Sequence, residues 1–436
     1  MSAPENGAVS AMNTAPILAY IRSLQDDMIR WRREIHRHPE LMYDVARTAA
    51  FVGDLLSSWG LEVERNVGRH FGRGVTAVLR GGRPGTTLLL RADMDALPIR
   101  EENDVPYRST VEGAMHACGH DAHTAMLLGA ARALSRFREE LPGIVKFVFQ
   151  PAEEGAAASP VDGVLRSGGA DMIEAGILEG VERCFALHVW PELEAGVIGI
   201  HRDYVMAAST HFRVVFHGRP GHHSRPHAAA DAIMMAAHWI MDMKAYMSTA
   251  VDPLSRAVLA FGTLRAGTVI NAIADRSEIG GTYRAFEPHV VDQIREAIEH
   301  RSRTIAALYG GSAESAFRMG TALRNDPLAA AEAMEAGRSV FGPERTIELD
   351  RPSLAGEDFA FYAKEVPSAM GLLGIRNAAK GYTHPLHHPK FDVDEDVLKD
   401  GASWFVEAIR AFYRQRDGTR SSIESGTGVE GHEVRK

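Results

Sequence analysis

Residues 143–155 read GIVKFVFQPAEEG. The nearly unbroken apolar run predicts a strand covered on both faces, and it ends on a polar tip carrying Glu153 and Glu154. GVTAVLRG (74–81) and TTLLLRADMDALP (86–98) also read as strands, the second nearly all apolar through Leu90. VERCFALHVWPE (181–192) is a further strand with a histidine at its tip. Helical segments lie between them. HTAMLLGAARALSRF (123–137) is a strong helix, and residues 19–40 place Ile21, Leu24, Met28 and Trp31 at helical spacing before Pro39 ends the run. Strands alternating with helices predict an open α/β sheet with its chemistry at the strand ends.

The pattern changes near residue 208. STHFRVVFHG (209–218) alternates with period two, as a half-exposed antiparallel strand does. A helix (228–246), two strands (257–267 and 276–286), a second helix (290–310) and a last strand (313–321) follow. That order is the split, ferredoxin-like unit. The expected organisation is therefore a discontinuous α/β domain, residues 14–207 and 323–415, with a small α+β domain inserted at 208–322. Residues 1–13 and 416–436 are small, polar and charged and read as disordered tails.

Composition narrows the function. The chain has 436 residues, 45% of them hydrophobic, enough for a large core. With 48 basic and 57 acidic residues the net charge is −9, and no long basic run argues for nucleic acid. Two cysteines fit a reducing compartment. No basic-then-apolar leader opens the sequence and no apolar stretch is long enough to span a bilayer, so a cytoplasmic enzyme acting on a small molecule is expected.

The polar residues gather in five segments: RADMDALP (91–98), MHACGHDAH (115–123), FQPAEEG (149–155), LHVWP (187–191) and PLHHPKFD (385–392). Each histidine or cysteine alone would more often be a buried or solvated side chain. Thiolate, imidazole and carboxylate in one short stretch are what a borderline transition metal takes. Cys118 and His120, two apart, can be aimed at one point by a turning backbone. Adjacent Glu153 and Glu154 point different ways, so one can ligate while the other handles a proton of water, the division metal-assisted hydrolysis needs. His188 and one of His387 and His388 would complete the shell.

These segments, with RREIHRHPEL (32–41), GEDFAFY (356–362) and LHHPKFDVDEDVL (386–398), resemble in order the dinuclear metallo-amidohydrolases related to hippurate hydrolase, which include N-acyl-amino-acid deacylases and auxin-conjugate hydrolases. Aminoacylase and carboxypeptidase G are more distant relatives. The resemblance runs from about residue 30 to about 410. It implies two divalent ions held by Cys118, His120, Glu154, His188 and His387, and it selects His387 over His388. Manganese is favoured, with zinc, cobalt or nickel compatible with the same ligands. Glu153 matches the general base, and Asp95 an aspartate that orients the metal-binding side chains. The inserted domain becomes a lid and dimerisation element. His222 or His227 would support the oxyanion, Asn271 and Arg284 would hold a substrate carboxylate, and a homodimer follows.

The resemblance implies hydrolysis of an N-acyl amino acid, with an aromatic acyl group compatible, to a carboxylic acid and a free amino acid. The same groups would also serve an aminohydrolase releasing ammonia from an aromatic amine, or a dipeptidase; a non-catalytic metal-binding protein would be expected to lack Glu153. Four features depart from the family pattern: extra residues within 156–169, His211 where Asp is usual, Ala274 in place of a customary Pro, and His223-Ser224-Arg225 where small residues are common.

Overall fold

The computed structural model describes residues 12–425, with side chains through Arg416. The chain divides into two compact units. The larger takes the chain through Asp203, Asn325–Asp350 and Phe361 onward; the smaller takes Tyr204–Arg324 and Arg351–Ala360.

The larger unit is built on an eight-stranded mixed sheet. In spatial order the strands are Glu62–Val67, Gly74–Arg80, Pro142–Gln150, Arg83–Asp93, Val181–Glu194, Ser368–Arg376, Ile198–Ile200 and Thr346–Glu348. Arg83–Asp93 runs parallel to both Pro142–Gln150 and Val181–Glu194, which pairs in parallel with Ser368–Arg376. These central strands are covered on both faces, as their composition predicts: Leu88, Leu89, Leu90, Val145, Phe147, Phe149 and Phe185 are all inaccessible to solvent. Helix His120–Arg136 is buried along almost its whole length. It packs between the sheet and helices Gln25–Arg37 and Leu398–Ser425. Small residues such as Ala122, Ala125, Ala130 and Ala133 allow that close approach.

In the smaller unit four antiparallel strands lie in the order Val258–Ala266, Arg276–Ala285, Ala208–His217 and Ser312–Arg318. Period-two alternation decides its two faces. Phe212, Val214, Phe216, Ile279 and Tyr283 join Trp239 and Met243 of helix Ala232–Thr249 and Ile294 and Ile298 of helix Pro288–Leu308 in one core. Asp231 caps the first helix by accepting the backbone N–H of Ile233 and Met234.

Three sequence expectations need correction. The small unit begins at Tyr204 and also takes Arg351–Ala360, which the expected bounds 323–415 gave to the larger domain. Backbone hydrogen bonds join this segment to the small unit, Ala207 N–H donating to Ser353 O and Ala355 O. The last helix continues through Ser425, ten residues into the stretch read as a tail; residues 1–11 and 426–436 lie outside the described residues. Finally, His188 does not sit at a strand tip, because that strand runs on to Glu194 and pairs His188 with Leu372. Among the described residues, no helix is long and apolar enough to cross a membrane.

Candidate metal centre

The parallel strands Arg83–Asp93 and Pro142–Gln150 end side by side, with Asp93 paired to Gln150. The chain beyond each carries the acids. Asp95 follows the first strand, and Glu153 and Glu154 follow the second. Ala152, buried just before the glutamates, has φ 47°, an uncommon left-handed conformation for alanine. Asp95 Oδ1 accepts the backbone N–H of Glu153 at 2.9 Å and Oδ2 that of Glu154 at 3.2 Å. One buried carboxylate thus holds the backbone of both glutamates.

The His/Cys stretch reaches the same place through a helix start. Gly119 takes φ 87° at the N-cap of helix His120–Arg136, placing Cys118 and His120 on either side of the turn. A Cβ at Gly119 would be driven into Val189 Cγ2, so only glycine serves both the conformation and the contact. His387 also has positive φ, 64°, and its backbone N–H is anchored on Ala117 O at 2.8 Å. Strain at a polar site is held only where the surroundings over-determine it.

The side chains converge. Cys118, His120 and His188 form one group whose donor atoms all lie within 4.8 Å of one another, and Cys118, Glu154 and His387 form a second. The two groups share Cys118. His120, Glu153 and Glu154 form a third group within the same limit. His387 Nε2 stands 3.6 Å from Glu154 Oε1, and His120 Nε2 stands 3.7 Å from the same oxygen.

Hydrogen bonding identifies the lone pairs that face this centre. His188 Nδ1 lies 2.7 Å from Val189 O, a carbonyl that can only accept, so Nδ1 carries the proton. Its Nε2 lone pair is left facing Cys118 Sγ at 3.6 Å. His123 Nε2 accepts the backbone N–H of Val189 at 2.9 Å, so its Nδ1 donates to Asp93 Oδ1 at 2.7 Å. Both nitrogens of His123 are engaged, and it serves as a brace. Among the described residues, Nε2 of His120 and Oε1 of Glu154 are buried without a hydrogen-bond partner, while His120 Nδ1 lies 3.4 Å from Asp95 Oδ1. Orphaned buried polar atoms of this kind call for an ion or a water.

Electrostatics points the same way. Burial works against a charged His120, yet Asp93, Asp95 and Glu154 outweigh it and carry the imidazole to about 10. Burial, against the pull of His120, lifts Glu154 to about 7. Burial together with Glu154, Glu153 and Asp93 pushes the Cys118 thiol well up. Anionic donors crowded in a buried space are matched to cations, which would reverse these shifts. The donor set therefore fits divalent metal.

Several residues escaped the sequence reading. Asp93 is held by Arg91 Nη1 at 2.7 Å as well as by His123. Asp121, next to His120, accepts from Arg32 Nε at 2.7 Å and lies 2.7 Å from His36 Nδ1. Arg32 also reaches Asp392 at 2.7 Å and Glu395 at 3.3 Å, beyond His387. One buried guanidinium thus ties the helix bearing His120 to the segment bearing His387. The available signal was the RREIHRHPEL motif, whose spacing puts Arg32 and His36 four apart on one helix face.

Within the segment 156–169 a small hairpin forms, Ala157–Ala158 paired with Leu165–Arg166. Ser159 Oγ meets His70 Nδ1 at 2.9 Å, and Arg166 pairs with Asp162 and Glu174, each at 2.8 Å. The residues expected to touch substrate lie in the smaller unit. His222 pairs with Ala272, next to Asn271, and both His222 and Asn271 are exposed. His227 lies in the exposed turn Pro226–Ala228. Arg284 is half-buried and donates from Nη1 to Leu354 O at 2.9 Å.

Comparison with known proteins gives the family. The model of the peptidase family M20/M25/M40 matches residues 89–411. Thermostable carboxypeptidase 1 of Saccharolobus solfataricus is 36% identical over 384 residues, 88% of this chain and 94% of the relative. N-acetylcysteine deacetylase of Bacillus subtilis is 35% identical over 381 residues, 87% and 95% of the two chains. N-acyl-L-amino acid amidohydrolase of Geobacillus stearothermophilus is 38% identical over 310 residues, 71% and 80%. Among solved structures, a dinuclear metal binding M20 peptidase from Bacillus subtilis superposes with TM-score 0.75 at 31% identity, covering 90% of this chain and 99% of that one. The chain belongs to the peptidase family M20/M25/M40 and is a hydrolase.

Proposed function

We propose that this enzyme uses two divalent metal ions to hydrolyse the amide C–N bond of an N-acyl amino acid. The observation that carries the reading is the pair of donor groups meeting at Cys118, with Glu153 beside them. Relatives named as an N-acetylcysteine deacetylase and an N-acyl-L-amino acid amidohydrolase support the substrate class.

Cys118, His120, Glu154, His188 and His387 would hold the ions, manganese being favoured. Bound there, such ions supply Lewis acidity, polarising an acyl oxygen and lowering the pKa of water. Glu153 then removes a proton from the attacking water and returns it to the leaving nitrogen, so that the departing group is a neutral amine. Asp95 holds the Glu153 backbone in place through that reaction. Asn271 and Arg284 would take the substrate carboxylate, and His222 or His227 the oxyanion.

We further read the smaller unit, whose strand order is that of the ferredoxin-like fold, as a lid and homodimerisation element. Its edge strand Val258–Ala266 exposes Val258 and Leu264, a pattern that favours pairing with a second copy. The two free buried cysteines suit a reducing compartment, and we place the enzyme in the cytoplasm.

The test is Glu153→Gln. It should bind the same amount of metal as the wild type and lose about 10²-fold or more in kcat on N-acyl amino acids, with products identified by mass. A variant within a few-fold of the wild type would remove Glu153 from the mechanism. Ammonia released from an aryl amine, with no acyl-amino-acid turnover by the wild type, would replace the proposed reaction.

A further inference from the structure

The open face of the small sheet carries an arrangement that the metal centre does not explain. Thr210, Phe212, Tyr283 and Ala285 are buried, so Ser209, His211, Thr282 and Arg284 share the opposite face. Arg318 stands directly opposite His211 in the neighbouring strand and belongs to that face too. Arg284 and Arg318 are both half-buried. Among the described residues, neither has a carboxylate at ion-pair distance, whereas Arg32, Arg91, Arg166 and Arg183 all do. The acids of the same face, Glu278 and Glu314, sit opposite Val215, four residues along the strand from His211 and about 14 Å away. Glu278 is already paired with Arg213 and Arg276, and Glu314 with His217.

Arg284 Nη1 donates to Leu354 O, but two guanidiniums drawn partly out of water with no carboxylate at ion-pair distance among the described residues favour a ligand that supplies one. Burial lowers both of their pKa values, and His211, depressed by burial and by both arginines, stays neutral and able to donate. A single substrate carboxylate would offset only one of the two charges. Strand spacing puts the two arginine backbones about 12 Å apart with His211 between them, within reach of two linked carboxylates.

We propose that Arg284, Arg318 and His211 form a dianion site, and that the preferred substrate carries two carboxylates. Arg284 takes the carboxylate of the amino acid, and Arg318, assisted by His211, takes the second. This rests on the amidohydrolase reading for the identity of the substrate, but not for the existence of the anion site. The second carboxylate can belong to either half of the molecule, as an acidic amino acid or as the acyl group of a dicarboxylic acid.

The experiment compares matched substrates with metal-loaded enzyme. N-acetyl-L-glutamate against N-acetyl-L-glutamine tests the amine half, and N-succinyl-L-alanine against N-butyryl-L-alanine tests the acyl half. In at least one pair the diacid should have a kcat/KM about tenfold higher or more, chiefly through KM. Arg318→Gln should bring that ratio to within about twofold, and Arg318→Lys should restore part of it. Calorimetric titration with glutarate gives a readout independent of turnover: the wild type should bind it and Arg318→Gln should bind it about tenfold more weakly. Ratios near one in both pairs, or glutarate binding equal in the two proteins, overturn the proposal. Glutarate binding through Arg318 with no hydrolysis of any substrate would support the anion site and count against amide hydrolysis instead.

Discussion

Asp95 touches the backbone of Glu153 and of Glu154 with one oxygen each, at 2.9 and 3.2 Å. Its place is thus beneath the two acids, and only a carboxylate offers acceptors on both sides. In Asp95→Asn one backbone N–H would face an amide donor. Activity should fall by about 10–100-fold, the usual effect of losing a supporting partner at a metal site. Asp95→Asn kinetics with metal content measured in parallel will check this; activity within twofold of the wild type would show that the glutamate turn holds itself.

Gly119 allows Cys118 and His120 to meet across a tight turn. Gly119→Ala places a side chain at φ 87°, costing about 1–2 kcal/mol from conformation alone, and forces Val189 aside. Val189 adjoins His188 and donates to His123. The variant should melt at lower temperature and bind metal more weakly. Unchanged metal titration would mean that the turn tolerates a Cβ by moving away from the centre.

Arg32 neutralises Asp121, Asp392 and Glu395 in a buried cluster. Arg32→Met would leave Asp121 and Asp392 without their guanidinium partner, Glu395 keeping Arg33, and breaking a buried pair on one side costs about 3–5 kcal/mol. Denaturant unfolding should show a loss of that order. Metal affinity should also weaken, because the segments bearing His120 and His387 lose their common tie.

Metal removal offers a direct test of the donor set. A ligand that binds only the folded chain stabilises it by about 2.7 kcal/mol at one hundred times its Kd. Chelation should therefore lower Tm, and manganese or zinc should restore it. In Cys118→Ser the restoration should be smaller, since both donor groups contain Cys118. A Tm indifferent to chelator in a metal-loaded preparation would argue that no ion sits there.

Stability should carry a pH signature at Glu332, buried against Arg183 Nε at 2.8 Å. Burial lifts this carboxyl to about 7 from 4.5, with Arg183 opposing. Between those values the folded chain retains a proton that the unfolded chain has lost. Its contribution therefore favours folding at the acid end and weakens as pH rises through the window. Glu332→Gln has no such titration, so its Tm should gain on that of the wild type between pH 5 and 8. A constant difference across that range would rule out the shift.

The central strands were readable because burial on both faces leaves an apolar signature in the chain itself, as at Leu88–Leu90 and Val145–Phe149. The small sheet was readable for the converse reason, since one open face imposes alternation on Ser209–His217. Its boundaries were not: Arg351–Ala360 joins that unit through backbone hydrogen bonds from Ala207, and such bonds leave no pattern in side-chain chemistry. The final helix was cut short because Gly, Ser and charge after Arg416 carry no apolar period.

Residue order alone was enough to indicate an α/β architecture and the chemical kinds of side chain brought to its centre, because strand burial and donor type are properties of short segments. Which nitrogen of His188 faces Cys118, why His123 braces Asp93 and is closed to a metal, and how Arg32 joins two stretches more than 260 residues apart follow from hydrogen bonds between distant segments. Those bonds exist only once the chain has closed on itself, because each depends on the distance and direction between groups that sequence separation does not encode.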